Sequence, residues 1–373
     1  MRSLQRTLAP GLSWVRGALP GILIAALLAA AAWVLAWLLA HGAAGLPKLP
    51  LSPVMCAVVL GMLWRNTLGV PVWATSGLNW TMQRLLRVGI ALVGLRLTLG
   101  GATAIAASAL PVALICLTVA LLAGVAISRV FDVPRRLGWL LAIGTAVCGC
   151  TAVVAMSPVI RARHAETAFA VTCVVLFGCI AMLTYPWLAG HFFAASPVRA
   201  GIFLGTAIHD TSQVVGASLI YSQQAGAPTV VDAATVAKLL RNLSIAVLIP
   251  AGAWLNRRAE ETSQENGETQ KAAARTPPLV PFFVLAFLGF IVARTAGDAL
   301  FAGGAWWPHL VETCRQAADL FLIGGMTAVG LSVSFTDMWR IGWRPLAAGL
   351  VVATLVGGCS LLLNLGLLHW LGA

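Results

Sequence analysis

A succession of continuous apolar runs constrains this chain more than any other feature. A bilayer core of about 30 Å needs roughly 17 to 25 mostly apolar residues per helix. By that rule eleven segments qualify as crossings, at approximately 20–40, 50–64, 85–99, 109–128, 138–160, 167–189, 200–221, 233–256, 279–296, 318–335 and 345–371. The second, third and tenth are short, and the fifth and seventh are interrupted by polar or small residues. The runs do not alternate, which argues for helices and against an outer-membrane barrel. With 60% hydrophobic and 10% charged residues, and 12 acids against 24 lysines and arginines, there is too little polar surface to clothe the chain in water. Lipid must be the solvent. A soluble globule, a disordered chain, a secreted disulfide scaffold and a coiled coil are all excluded.

The net charge of +12 sits in small groups between the apolar runs and forms no basic patch, so nucleic acid is not an expected partner. With the N-terminus placed in the cytoplasm, the inner ends hold sixteen of the 24 cations, among them Arg2, Arg6, Arg16, Arg135, Arg136, Arg257 and Arg258. The outer ends hold Lys48, Arg161, Arg163, Arg294 and Arg315, and Arg96, Lys238 and Arg241 fall within spans. The positive-inside rule then predicts a multi-pass protein of a bacterial inner membrane, N-terminus cytoplasmic and C-terminus outside, with Arg161 and Arg163 as the pair that disobeys. The first run, Ile22 to Ala40, is longer than the roughly 7 to 15 apolar residues of a cleaved signal and reads as a retained span. One composition shift divides the chain into a transmembrane region (1–256) with a first repeat and the broken helices, a cytoplasmic polar linker (257–278), and C-terminal helices (279–373) that complete a second repeat.

The repeat rests on an echo. Val93-Gly94-Leu95-Arg96-Leu97-Thr98-Leu99 resembles Val329-Gly330-Leu331-Ser332-Val333-Ser334-Phe335, and each precedes a proline, Pro111 and Pro345, that opens the next apolar run. Segments three and ten are seven crossings apart and so antiparallel, as the inverted repeats of secondary transporters require. Of eight cysteines only Cys314 lies in a polar stretch, which excludes a disulfide framework. Cys148-Gly149-Cys150 has no second pair and no ligand-spaced histidine, so neither a metal site nor a cofactor is expected.

Polar residues inside hydrocarbon cost free energy and mark a pathway, an internal partner or a site. Three groups stand out. In Gly144-Thr145-Ala146-Val147-Cys148-Gly149-Cys150-Thr151, followed by Ser157-Pro158, small residues weaken a helix near mid-membrane. They free backbone groups that can hold a substrate, with Thr145, Cys148, Gly149 and Thr151 the candidates; close helix packing on small residues is the alternative. In Gly205-Thr206-Ala207-Ile208-His209-Asp210-Thr211-Ser212-Gln213, Asp210 reads as the only acid placed centrally in a span. His209 titrates near neutral pH, so the two are candidates for coupling, by carrying protons or by neutralising a cation. Helical spacing puts Thr206, Asp210 and the substrate candidate Gln213 on one face; a structural ion pair with a neighbouring helix is the alternative. In Lys238-Leu239-Leu240-Arg241-Asn242 the two cations share a face, Lys238 as a point charge and Arg241 as a fork for oxyanions. With Arg96 they exceed the single central acid, and an anionic substrate would compensate them; pairing with Asp210 and snorkelling to an interface are the alternatives.

No phosphate-binding loop, zinc spacing or nucleophile elbow is present, and no nucleophile, base and orienter constellation marks an enzyme. His164, His191, His309 and His369 are isolated near segment ends.

At these three groups the chain resembles the sulfate-exporter family of bacterial inner-membrane proteins, of the YeiH type. The likeness is carried by Gly94-x-Arg96-Leu97-Thr98, Cys148-Gly149, Ser157-Pro158-Val159, Phe177-Gly178 with Tyr185-Pro186, Ile208-His209-Asp210-x-x-Gln213-Val214-Val215 and Lys238-x-x-Arg241. More distantly it is similar to the bile acid and sodium symporter superfamily, where a Gly-Leu-x-Leu-x helix precedes a Gly, Cys and Pro-rich broken one. That likeness implies a panel and a core domain whose two broken helices cross near mid-membrane. The acid and amide cluster beside the first break is absent here, which counts against sodium coupling.

The expectation is an all-α polytopic membrane protein of about eleven transmembrane helices, an inverted-repeat secondary transporter with broken helices crossing near mid-membrane. It is expected to move small anions, with sulfate or a related oxyanion implied by the resemblance. A proton- or sodium-coupled carboxylate transporter and an anion channel are the alternatives, and a homodimer is an open assembly.

Overall fold

The computed structural model describes residues 2–41, 51–252, 282–301, 304, 306–336 and 343–370. Among them every regular element is a helix: α1 (Arg2–His41), α2 (Pro53–Thr67), α3 (Val72–Trp80), α4 (Leu86–Val93), α5 (Leu99–Val130), α6 (Arg135–Ala146), α7 (Cys150–Met156), α8 (His164–Phe193), α9 (Pro197–Ala207), α10 (Thr211–Ala225), α11 (Thr229–Leu243), α12 (Phe282–Leu300), α13 (Trp306–Ser332) and α14 (Trp343–Trp370). Six helices among the described residues are long and apolar enough to cross a membrane: Gly17–His41, Leu99–Val130, Ala165–Phe193, Thr229–Gly252, Phe282–Leu300 and Trp343–Gly366. The expected linker 257–278 lies outside the described residues.

The third expected segment, 85–99, begins earlier. Helix runs from Val72 through a π-helical turn, Thr81–Leu85, into α4, and a 3-10 turn, Gly94–Arg96, ends it. Asn79, Arg84 and Arg87 dilute its hydropathy and hid its start. The fifth and seventh segments are broken, as their small and polar residues predicted, into α6 and α7 and into α9 and α10.

The chain packs as two units interleaved in sequence. The first comprises Met1–Leu99, Leu219–Ala227 and Ala286–Thr336. Apolar side chains gain little by leaving lipid for one another, so close backbone approach does much of the packing. A Cβ on Gly77 would lie 1.9 Å from the Ala18 carbonyl, and one on Gly330 2.4 Å from that of Val58. These contacts seat α3 on α1 and α13 on α2. Arg96 corrects the charge count above: its Nη2 donates to Asp319 Oδ1 at 2.6 Å, so an acid at the head of the tenth segment compensates it. Asp298 likewise accepts from Arg294 Nε and Trp307 Nε1, each at 2.8 Å. The two echoing stretches both end a helix, but Pro111 lies inside α5 and does not open it.

The second unit comprises Gly100–Ser218, Pro228–Leu285 and Asp337–Ala373. Leu140, Leu141, Val153, Met156, Val174 and Phe177 form part of its core. α9 lies directly on α11, where a Cβ on Gly205 would be 2.5 Å from the Ala234 carbonyl. Thr206 Oγ1 and Ser360 Oγ, 2.7 Å apart, tie α9 to α14. This packing carries the inner face of α11 to the ends of both broken helices.

Candidate functional site

α6 unwinds because its last turn meets glycine. Val147 leaves helical space at φ −113°, ψ −100°, and Gly149 takes φ +68°, ψ −126°, a left-handed setting that suits glycine and strains a residue with a Cβ. Gly149 N still reaches back to the Gly144 carbonyl at 3.0 Å, and Val153 N to the Gly149 carbonyl at 3.2 Å, so α7 restarts within a few residues. α9 ends at Ala207, with Ile208 extended at φ −88°, ψ 143°. Asp210 then caps α10: its Oδ1 accepts from Ser212 N at 2.9 Å and Ser212 Oγ at 2.5 Å, and its carbonyl accepts from Val214 N at 3.0 Å. A carboxylate at this end suits both the unpaired amides and the helix dipole.

The two breaks touch. A Cβ built on Gly149 would lie 2.7 Å from Asp210 Oδ2 and 3.0 Å from its Cβ. No side chain can come between the first break and the acid of the second.

Both cations of α11 reach this point. Lys238 is 0% and Arg241 1% exposed. Lys238 Nζ donates to the Ile208 carbonyl at 2.9 Å and to that of His209. Arg241 donates from Nε to the Ala146 carbonyl at 2.9 Å, from Nη2 to those of Thr145 and Ala146 at 2.7 and 2.6 Å, and from Nη1 to that of Thr206. The last carbonyls of a helix have no partner inside it, and a cation is favoured at that negative end of the dipole. One guanidinium therefore closes the C-terminal ends of both α6 and α9.

The expected residues can now be placed. Thr145, Cys148, Gly149, His209, Asp210, Lys238 and Arg241 meet around the paired breaks. The shared face expected for Thr206, Asp210 and Gln213 does not exist, because the helix unwinds between the first two. Gln213 turns to α8, donating from Nε2 to the Val175 carbonyl at 2.9 Å and to Cys179 Sγ at 3.4 Å, wedged where Gly178 leaves room. Thr151 is exposed on α7. Asn242 was not among the expected site residues; its Nδ2 donates to Thr211 Oγ1 at 3.0 Å, at the head of α10. Its position four residues after Lys238 placed it on the same face of α11, which was the available signal. Four buried side-chain atoms here have no hydrogen-bond partner: His209 Nδ1 and Nε2, Gln213 Oε1 and Asn242 Oδ1. Lys238 and Arg241 against Asp210 leave one formal positive charge in excess. No group of histidine, cysteine and acidic side chains among the described residues could hold a metal ion.

The family described as conserved hypothetical protein 698 matches residues 20–349. A UPF0324 membrane protein of Pseudomonas putida is 32% identical over 370 residues, 98% of this chain and 97% of its own length. Another from Bordetella pertussis is 33% identical over 364 residues, 94% of this chain and 95% of its own, and one from Bacillus anthracis is 31% identical over 320 residues, 84% and 88%. No solved structure matches the chain.

Proposed function

The chain belongs to the family described as conserved hypothetical protein 698, and on that premise we propose that it is a secondary transporter exchanging small anions across a bacterial inner membrane. The reading includes about eleven crossings, a cytoplasmic N-terminus and an inverted repeat, with the paired breaks as the substrate site. The observation that carries it is the contact between Gly149 and Asp210. Irregular backbone at membrane depth is tolerated where it is buried in protein or lines a cavity, and discontinuous helices are how many carriers hold ions and substrates. The excess positive charge of Lys238 and Arg241 over Asp210 favours an anion, and Thr145, Cys148 and Gly149 frame its position, whereas Gln213, turned to α8, and Thr151, exposed on α7, lie outside it. Oxyanions, sulfate among them, are the substrate class. Of the two coupling residues, His209 and Asp210, Asp210 is the stronger, since its Oδ2 faces the first break while its Oδ1 caps α10.

The test is counterflow in proteoliposomes with a panel of labelled oxyanions and carboxylates. Saturable exchange that accelerates when unlabelled anion is inside supports a carrier. Single-channel currents without counterflow would replace it with a channel, and no flux of any anion would end the anion reading.

A further inference from the structure

Neither broken segment continues in its first direction. α6 has 12 residues and α9 has 11, about 18 Å and 17 Å of helix against a bilayer core of about 30 Å, and apolar stretches of that length suit re-entrant segments. A Cβ on Gly144 would lie 2.7 Å from Val153 Cγ2. The chain from Gly144 to Val153, continued as one helix, would rise about 14 Å, too far for a methyl group and a valine to bridge. α7 therefore folds back beside the end of α6.

The second break reverses as well. A Cβ on Gly201 would lie 2.5 Å from Ala233 Cβ, and one on Gly205 2.8 Å from Ala237 Cβ, so α9 and α11 advance in the same direction. Thr211, at the head of α10, meets Asn242 near the end of α11, about 20 Å of helix beyond Thr229. Only residues 226–228 join α10 to Thr229, a link of at most about 14 Å. Continuing along α9, the 15 residues of α10 would end roughly 40 Å from Thr229. α10 must run back toward Thr229, antiparallel to α9.

One helix separates the two reversals. α8 is long enough to cross, follows α7 and leads into α9. Near its middle, Val174 Cγ2 would be 2.9 Å from a Cβ on Gly144, and Gly178 makes room for Gln213, so both breaks lie level with its centre. Its ends reach opposite faces, and so do the feet of the two hairpins.

We propose that the two broken segments are re-entrant hairpins that enter the membrane from opposite faces and meet tip to tip at Arg241. Resting on the transporter reading, the substrate site at the tips is then separated from the cytoplasm by α6 and α7 and from the outside by α9 and α10. Two of the expected crossings thus enter and leave by the same face, an irregularity tolerated at membrane depth when it is buried in protein. Arg161 and Arg163, the pair that disobeyed the positive-inside rule, join Arg135 and Arg136 on the inner face, and Arg199 alone leaves it. α6 and α9 enter from opposite sides, as counterparts in an inverted repeat must. Beyond α10 the two changes cancel, and the later segments keep their orientation.

The experiment adds one cysteine at a time to the full chain at four exposed positions, as Arg136→Cys, Arg163→Cys, Ala195→Cys and Ala225→Cys. Each variant is treated with a membrane-impermeant maleimide in right-side-out spheroplasts and in inside-out vesicles, with the parent's own cysteines as background. Arg136→Cys and Arg163→Cys should label in the vesicles and be protected in the spheroplasts, and Ala195→Cys and Ala225→Cys should do the reverse. Opposite faces for Arg136→Cys and Arg163→Cys overturn the first hairpin, and opposite faces for Ala195→Cys and Ala225→Cys overturn the second. A shared face for Arg163→Cys and Ala195→Cys overturns the entry from opposite sides, and a pattern inverted at all four positions overturns the assignment of hairpins to faces. Labelling requires no transport, so a chain that exchanges no anion ends the transporter reading without changing this pattern.

Discussion

Arg241→Ala tests whether the guanidinium serves the backbone or the substrate. In the structure its four donated hydrogen bonds end on three carbonyls, those of Thr145, Ala146 and Thr206. An unmatched buried carbonyl costs about 1–3 kcal/mol, so three lost together cost roughly 3–9 kcal/mol. Water entering the space left by the side chain recovers part of this, and a loss of about 3–5 kcal/mol remains. For a chain of this size that is a fall in melting temperature of roughly 5–10 °C, read by circular dichroism on the detergent-solubilised protein. Arg241→Lys supplies three protons from one point and cannot span two helix ends, so it should lose about half as much. A variant Arg241→Ala that melts with the parent yet no longer exchanges anions would refute this reasoning: the fork would then belong to the substrate, as the sequence alone suggested.

Three further outcomes are expected. Gly149→Ala places a methyl group 2.7 Å from Asp210 Oδ2 at a residue with φ +68°, and should abolish anion exchange while leaving helix content by circular dichroism unchanged. Asp210→Asn retains the oxygen that caps Ser212 and should keep substrate exchange but lose accumulation driven by a pH gradient, measured as labelled anion uptake. The proposed topology, with Gly267 inside and Ala373 outside, predicts opposite signals from reporter fusions at those two points.

What was legible in the sequence was where helices fail, because glycine and polar residues in a long apolar run carry that information locally. Gly144 to Thr151 and Gly205 to Gln213 both break as read. What was not legible was the direction of hydrogen bonds. Lys238 and Arg241 invite a negative partner, and nothing in a string of residues shows that the partner is a set of carbonyls made vacant by the breaks themselves. The face supposed to unite Thr206, Asp210 and Gln213 assumed a continuous helix through residues whose side chains argue against one. Arg96 looked uncompensated because Asp319 stands 223 positions away, a separation that no spacing rule reaches.

The clasp formed by Arg241 also sets an order on biosynthesis. Its hydrogen bond to Ala146 joins residues 95 positions apart, and a ribosome adding roughly 5–20 residues per second needs about 5–20 s to cover that distance. Through that interval the end of α6 sits in or beside the bilayer with carbonyls that neither lipid nor its own helix can satisfy. The nascent break is therefore unsettled until α11 emerges, and a chain stopped short of Arg241 should be cut by protease faster than one that extends past it.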